Sequence, residues 1–506
     1  MNKRKTRSRS ASHSSNKQPQ KPEAIRHTAS SRWLATFMQH QEFAIAGFAL
    51  LCLALLAGLM IDLTGGDYPY FLPRLFDSHL FYLQNGLAIQ EYTASFCAGI
   101  FNFANPQSLS LSLPQALSSL FGPVAGMQAT YLVSSALAGI GIYYCARFWG
   151  LESMPACMAA IAMSFSGLLL LRITTGHLTF YSVGFAPVLA ALLLYGIRAL
   201  GEYKLWALAM GCLAGLLLAT LIYGGMGILI LQVLAIVVLI LLVCGGFDNG
   251  WLKAGLFCLA SLLLGLLVAA PKIEAVTAMN EQVQRSFYPL PGFGIIDLPI
   301  GLLQGLFWVP DQEGMNKIFQ NKQFYLPWHE FYYGFTPISL AVIVAGLIVG
   351  RKKLSLRGAW HKRPIIMSLI AAILLLPIVL NIYQPDWNQF LKSLPVIGQS
   401  SSMSRFFILY IPVLALLLGW SCSHWRKISV LAPLALTALL AVYQFQVIST
   451  NLEEGPYDPS STVAAWASQS GQIPPVSELQ FMIRTEADGS RRPDFSFQRD
   501  HSFIQG

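Results

Sequence analysis

Charge is what this sequence has least of. Its 506 residues include 33 Lys and Arg and 24 Asp and Glu, 11% of the chain, whereas a soluble domain carries roughly 25%. Hydrophobic residues make up 55%, and the mean hydropathy is +0.54. Such a composition excludes a soluble enzyme, a disordered protein and a nucleic-acid binder. A disulfide framework is missing too. Of the eight Cys, Cys52, Cys145, Cys157, Cys212, Cys244, Cys258 and Cys422 lie in or beside apolar runs, where Cys behaves as a small hydrophobe. Only Cys97 lies in a polar loop, and no zinc-ligand spacing is present. No Gly-rich loop ends in Lys-Ser/Thr, which argues against nucleotide hydrolysis. His-Glu-x-x-His and Gly-x-Ser-x-Gly are also absent. The apolar runs hold almost no charge, which argues against a proton- or ion-coupled pump.

What the chain has in abundance is helix-length apolar sequence. A bilayer takes about 20 such residues per helix. Eleven runs qualify, at 43–61, 124–146, 155–171, 179–197, 205–222, 226–244, 253–271, 335–350, 364–382, 405–422 and 428–448. They predict an all-α polytopic membrane protein with about 11 transmembrane helices. A further run, 294–309, carries Asp297 and Gln304 and reads as a re-entrant or interfacial segment. Ahead of the first run, residues 1–41 hold nine Lys/Arg and one acid, Glu23, which is +8 of the formal +9. This Ser-, Gln- and His-rich stretch shows no apolar periodicity, so residues 1–42 are expected to form a disordered tail. Its charge reads as a topology signal rather than a nucleic-acid arm.

Lys and Arg then set the orientation. With the N-terminus in the cytoplasm, the inner loops carry twelve Lys/Arg in short segments, six of them in 351–363. The outer loops carry seven, spread over much longer stretches. Loops 62–123, 272–334 and 383–404 fall outside, as does the acidic segment 450–506 with its four Lys/Arg and eight Asp/Glu. A bacterial inner (cytoplasmic) membrane suits this arrangement, with membrane lipids around residues 43–449. Chemistry is expected on the outer face.

That face collects polar side chains of two kinds. Loop 62–123 holds Asp67, Asp77 and His79 among Tyr68, Tyr70, Phe71, Phe76, Phe81 and Tyr82. The aromatics suggest short amphipathic helices at the membrane surface. An acid near membrane level has a cost, which makes it a functional candidate; the alternative is a loop acid in water or a helix N-cap. Arg172 and His177 flank a short turn between two runs. Arg172 either snorkels or meets a phosphate, which Arg binds in a fork and His by one hydrogen bond. Basic residues recur at Lys272, Arg285 and Arg405, and acids at Glu274 and Glu330. Together they could line a cleft with a general base and cations for an anionic ligand.

The ordered segments GGDYPYFLPRLF (65–76), FANPQSLSLSLPQ (103–115), GHLTF (176–180), APKIEAV (270–276), WHEFYYGFTPISL (328–340) and LPVIGQSSSMSRFFIL (394–409) resemble bacterial YfhO-type membrane proteins. These are similar to the type C (GT-C) glycosyltransferases, and the resemblance covers about 43–425. It implies a GT-C-like bundle and an enzyme that moves a sugar from a polyprenyl-phosphate carrier to a glycan, lipid or protein acceptor outside the membrane. In that family an Asp of the first outer loop is the usual base. Asp67 matches this position, and Asp77 is the second candidate. Arg172 with His177, and Arg405, would contact the carrier phosphate. Lys272, Arg285 and Glu330 would complete the substrate-binding set. No nucleotide or redox cofactor is implied; a divalent metal could assist, though no ligand set stands out. The alternatives are a transporter or flippase of lipid-linked glycans, which would need a polar path and no catalytic acid, and a non-catalytic scaffold subunit of a polysaccharide assembly complex.

Overall fold

The computed structural model describes residues 29–59, 67–93, 99–226, 228–243, 251–282, 290–308, 330, 332–350, 364–394, 397, 400, 402–425, 428–451, 483–485 and 491–493. Contacts divide the chain into Met1–Ala44 and Ile45–Gly506. Helix α1, Ala29–Gly58, begins upstream of its apolar part, Gln41–Gly58. Helix therefore reaches into the segment expected to be disordered. Trp33, Leu34, Phe37 and Met38 have helical spacing in the sequence, a short signal outweighed by the surrounding polar residues.

Each of the eleven apolar runs contains helix among the described residues. The helices after α1 are α2 Tyr68–Asn85, α3 Leu113–Phe121, α4 Pro123–Phe148, α5 Ser153–Ser164, α6 Gly167–Thr174, α7 Phe185–Ala199, α8 Lys204–Tyr223, α9 Leu229–Val243, α10 Trp251–Gln282, α11 Leu298–Phe307, α12 Pro337–Gly350, α13 Pro364–Leu380, α14 Pro385–Ser393, α15 Tyr410–Cys422 and α16 Leu431–Asn451. Two 3-10 turns, Leu178–Gly184 and Ser404–Leu409, lead into α7 and α15. Counting those turns with their helices, and α5 together with α6, the described residues contain 8 helices long and apolar enough to cross a membrane. Helices α9, α12 and α13, with 15, 14 and 17 residues, are shorter. The run at 294–309 yields only the 10-residue α11. Two short antiparallel pairs join Tyr92–Thr93 (β1) to Ile100–Phe101 (β2) and Ile483–Thr485 (β3) to Arg491–Pro493 (β4).

Helix α4 packs on α3, α5 and α7; α7 packs on α8 and α9; α8 packs on α10; α15 packs on α5 and α12. Small residues permit the closest of these approaches. A Cβ at Gly141 would lie 2.4 Å from the Pro187 carbonyl carbon. The α5–α6 stretch is almost wholly buried, whereas most of α10 is exposed along its apolar length. Exposed Leu256, Leu259, Leu263 and Leu267 on α10 suit contact with lipid rather than water.

One expected span is interrupted. The run 155–171 breaks at Phe165–Ser166, where Ser166 is extended. A broken helix survives inside an apolar bundle only if its freed backbone groups find partners. Here Gln444 of α16 donates to the Phe165 carbonyl at 2.9 Å and the Gly334 carbonyl at 3.2 Å. The Gly167 N–H also donates to Gly334 O, at 3.0 Å. This break turns α6 and ties it to the segment leading into α12. That segment includes Thr336, buried at φ +70, a strained conformation for a β-branched residue.

Candidate functional site

The N-terminus of α2 docks on the turn after α6. The Asp67 N–H donates to Thr175 O at 3.0 Å, and the Tyr68 hydroxyl, fully buried, donates to Ile173 O. Gly176 is required in this turn. Its φ is +82, and a Cβ there would lie 2.4 Å from the Tyr68 nitrogen. The turn closes on itself through a 2.8 Å bond from the His177 N–H to Arg172 O. Pro69 sets the first turn of α2, yet the Asp67 carboxylate forms no side-chain cap hydrogen bond to the helix. It stands instead 3.4 Å from His177 Nε2, with 48% of the Asp67 side chain exposed.

Behind this pair lies a buried charge cluster. Arg172 Nη1 is 2.9 Å from His177 Nδ1, and Arg172 Nη2 donates to Glu330 Oε2 at 3.1 Å. Arg405 grips the same carboxylate in a fork, Nε to Oε2 at 3.1 Å and Nη2 to Oε1 at 2.6 Å. The Phe180 ring lies under both guanidiniums, 4.4 Å from Arg172 and 5.6 Å from Arg405. Tyr333 and Ser404 hold the Glu330 carbonyl at 2.9 and 3.1 Å, so the acid's backbone is fixed as firmly as its side chain. Burial alone would raise the Glu330 pKa. Arg172 and Arg405 more than offset that and hold the carboxyl well below the usual carboxylate range.

Two guanidiniums share the Glu330 carboxylate, and Asp67 acts on Arg405 as a second nearby anion. The accessible cation of the pair is Arg405: that side chain is 23% exposed and Arg172's is 1% exposed. The arrangement thus sets a half-exposed carboxylate, Asp67, beside a cluster that can attract an anion through Arg405.

Five of the residues expected from sequence therefore meet: Asp67, Arg172, His177, Glu330 and Arg405. Two do not join them. Asp77 accepts from Gln90 at 2.7 Å and Thr93 at 3.0 Å, beside a network in which Asn102 donates to Gln90 at 2.7 Å and to Ser110 at 3.0 Å. That network fastens Gln90, Thr93, Asn102 and Ser110 to α2. Lys272, 1% exposed, donates to the carbonyls of Phe103 and Asn105, the latter at 2.9 Å. It clamps the same loop from α10. Arg285 lies outside the described residues. Sequence reasoning overlooked Phe180, Tyr333 and Ser404, each of which sits inside or beside a segment it had singled out. Among the described residues, no three His, Cys, Asp or Glu side chains gather as a metal site.

No family model matches this chain. No curated protein matches it either. Among solved structures it is similar to the crystal structure of ArnT from Cupriavidus metallidurans bound to undecaprenyl phosphate, at 15% identity and a TM-score of 0.35, covering 83% of this chain and 80% of that one. The apo state of the same protein gives 15% identity and a TM-score of 0.35, covering 82% and 78%.

Proposed function

We propose that this polytopic membrane protein is a GT-C-like glycosyltransferase that moves a sugar from a polyprenyl-phosphate carrier to a glycan, lipid or protein acceptor on the extracytoplasmic face. One observation carries the reading: an accessible carboxylate, Asp67, stands beside a pair of arginines whose partly exposed member, Arg405, can meet an anion, at the end of a membrane bundle. Sugar transfer from a lipid phosphate needs those two things. The acceptor hydroxyl gives its proton to Asp67 as its oxygen attacks the anomeric carbon. The bond from that carbon to the carrier oxygen breaks, and the phosphate leaves with the electron pair. Arg405 meets the developing charge. Arg172 is too buried to reach a ligand, and it keeps Glu330 and His177 in place. On this reading Asp77 and Lys272 brace the outer loop, residues 1–41 are cytoplasmic, and loops 62–123 and 272–334 lie outside.

The test is Asp67→Asn in the purified full-length chain with polyprenyl-phosphate-linked sugars. The amide keeps the size of the side chain and removes the base. Turnover should fall by about 10²–10⁴-fold with carrier binding retained. Full activity in Asp67→Asn would move the base elsewhere, with Asp77 next. If the unmodified protein transfers no sugar from any such donor, a transporter or scaffold role takes its place.

A further inference from the structure

His177 stands between Arg172 and Asp67, and its neighbours dictate where its proton sits. An arginine side chain has five N–H donors and no acceptor. Its 2.9 Å contact with His177 Nδ1 is therefore a hydrogen bond only if Nδ1 carries a lone pair. A neutral imidazole with Nδ1 bare must carry its proton on Nε2. That nitrogen faces Asp67 Oδ2 at 3.4 Å. A protonated ring would set an Nδ1–H against the guanidinium, which is unfavourable both as a contact and as a pair of like charges. The opposite neutral tautomer would turn a lone pair toward a carboxylate. One state satisfies both sides: Arg172 donates to Nδ1, and Nε2–H points at Asp67.

The ring is held as well as polarised. Phe180 stacks on it at 6.0 Å with 27° between planes, and the backbone N–H of His177 is tied to Arg172 O. Arg172 is itself anchored by Glu330, which Arg405 grips from the other side. A fixed line of groups thus runs Glu330, Arg172, His177, Asp67, from a buried carboxylate to an accessible one. With Nδ1 engaged by Arg172 and Nε2–H aimed at Asp67, the imidazole is poorly placed to serve as a contact for a phosphate.

We propose that His177 is a positioning residue for Asp67, held by Arg172 as the neutral tautomer with its proton on Nε2. It orients the Asp67 carboxylate through the oxygen it faces. This assignment rests on the reading of Asp67 as the base. Its first half, the tautomer, stands independently of that reading.

Two measurements test it. In full-length protein labelled with ¹⁵N-histidine, the His177 ring is identified as the signal missing from His177→Gln. At neutral pH it should show a bare Nδ1 and a protonated Nε2. Arg172→Met should let the other tautomer or the charged ring appear. A protonated Nδ1 in the unmodified protein would overturn the proposal, whatever the protein's activity. In the transfer assay, His177→Gln retains an N–H that can reach Asp67 and should keep kcat within about tenfold. His177→Leu has no donor and should lose kcat by about 10–100-fold, the scale of a misplaced reacting group, with KM for the lipid donor nearly unchanged. Equal kcat values in the two variants would refute the positioning role, and so would a raised KM at constant kcat, which marks a phosphate contact. Absence of transfer in the unmodified chain would count against the Asp67 reading and the positioning role that rests on it, and the labelling result alone would then decide the tautomer.

Discussion

Replacing Glu330 with Gln would remove the one anion that two guanidiniums share while preserving the shape of the side chain. Breaking a buried ion pair by removing one partner costs about 3–5 kcal/mol. The penalty here falls unequally. Arg405 is 23% exposed and can recover part of its hydration. Arg172 is 1% exposed, and its Nε already lacks a hydrogen-bond partner. Arg172 therefore accounts for most of the loss. At about 2 °C per kcal/mol, the low end of the usual range because the chain is long, apparent Tm should drop by about 6–10 °C. Intrinsic tryptophan fluorescence of the full-length protein in lipid nanodiscs would follow it, since the chain has 11 Trp. Adding Arg172→Met to Glu330→Gln should restore part of the loss, with a coupling of about 0.5–3 kcal/mol. The pH dependence has a definite sign. A carboxyl whose folded pKa is depressed contributes stability above its unfolded pKa, about 4.3, and that stability disappears as pH falls through the lower folded value. The cluster's contribution should thus be constant from pH 7 to 5 and fade only below about pH 4. A Tm change under 2 °C in Glu330→Gln, or no recovery in the double variant, would refute the buried-cluster reasoning.

Arg405→Ala should weaken binding of a polyprenyl phosphate by about ten- to a hundredfold, the equivalent of about 1.5–3 kcal/mol for one charge-assisted hydrogen bond. Arg172→Ala should lower Tm more than affinity, and the reverse pattern would exchange their roles. For the proposed orientation, a cysteine replacing Leu87, 89% exposed beyond α2, should react with an impermeant thiol reagent from outside. One replacing Ser355 in the basic 351–363 loop should not, and the opposite result would turn the site to the cytoplasmic face.

Helix positions were legible because they depend on local composition. An apolar run of sufficient length becomes a helix wherever it sits, since its backbone groups must bond to one another away from water. The same rule hides breaks such as the one at Phe165–Ser166. Whether the chain can stop being helical there depends on Gln444 and Gly334, which lie 279 and 169 residues beyond Phe165.

Candidate charges were legible as types, because so few occur beside apolar sequence. Their partners were not. Asp67, Arg172, His177, Glu330 and Arg405 come from four distant segments, and Asp77 and Lys272 looked equally promising in one dimension. Tertiary structure separated them by supplying neighbours: amide and hydroxyl donors for Asp77, backbone carbonyls for Lys272, and half-open solvent for Asp67. A charge expresses its chemistry through the groups within about 4 Å and the water it has lost. Sequence order carries neither quantity, so composition determined a membrane bundle of helices, and only the packing of distant segments decided which charges are structural pins and which face a ligand.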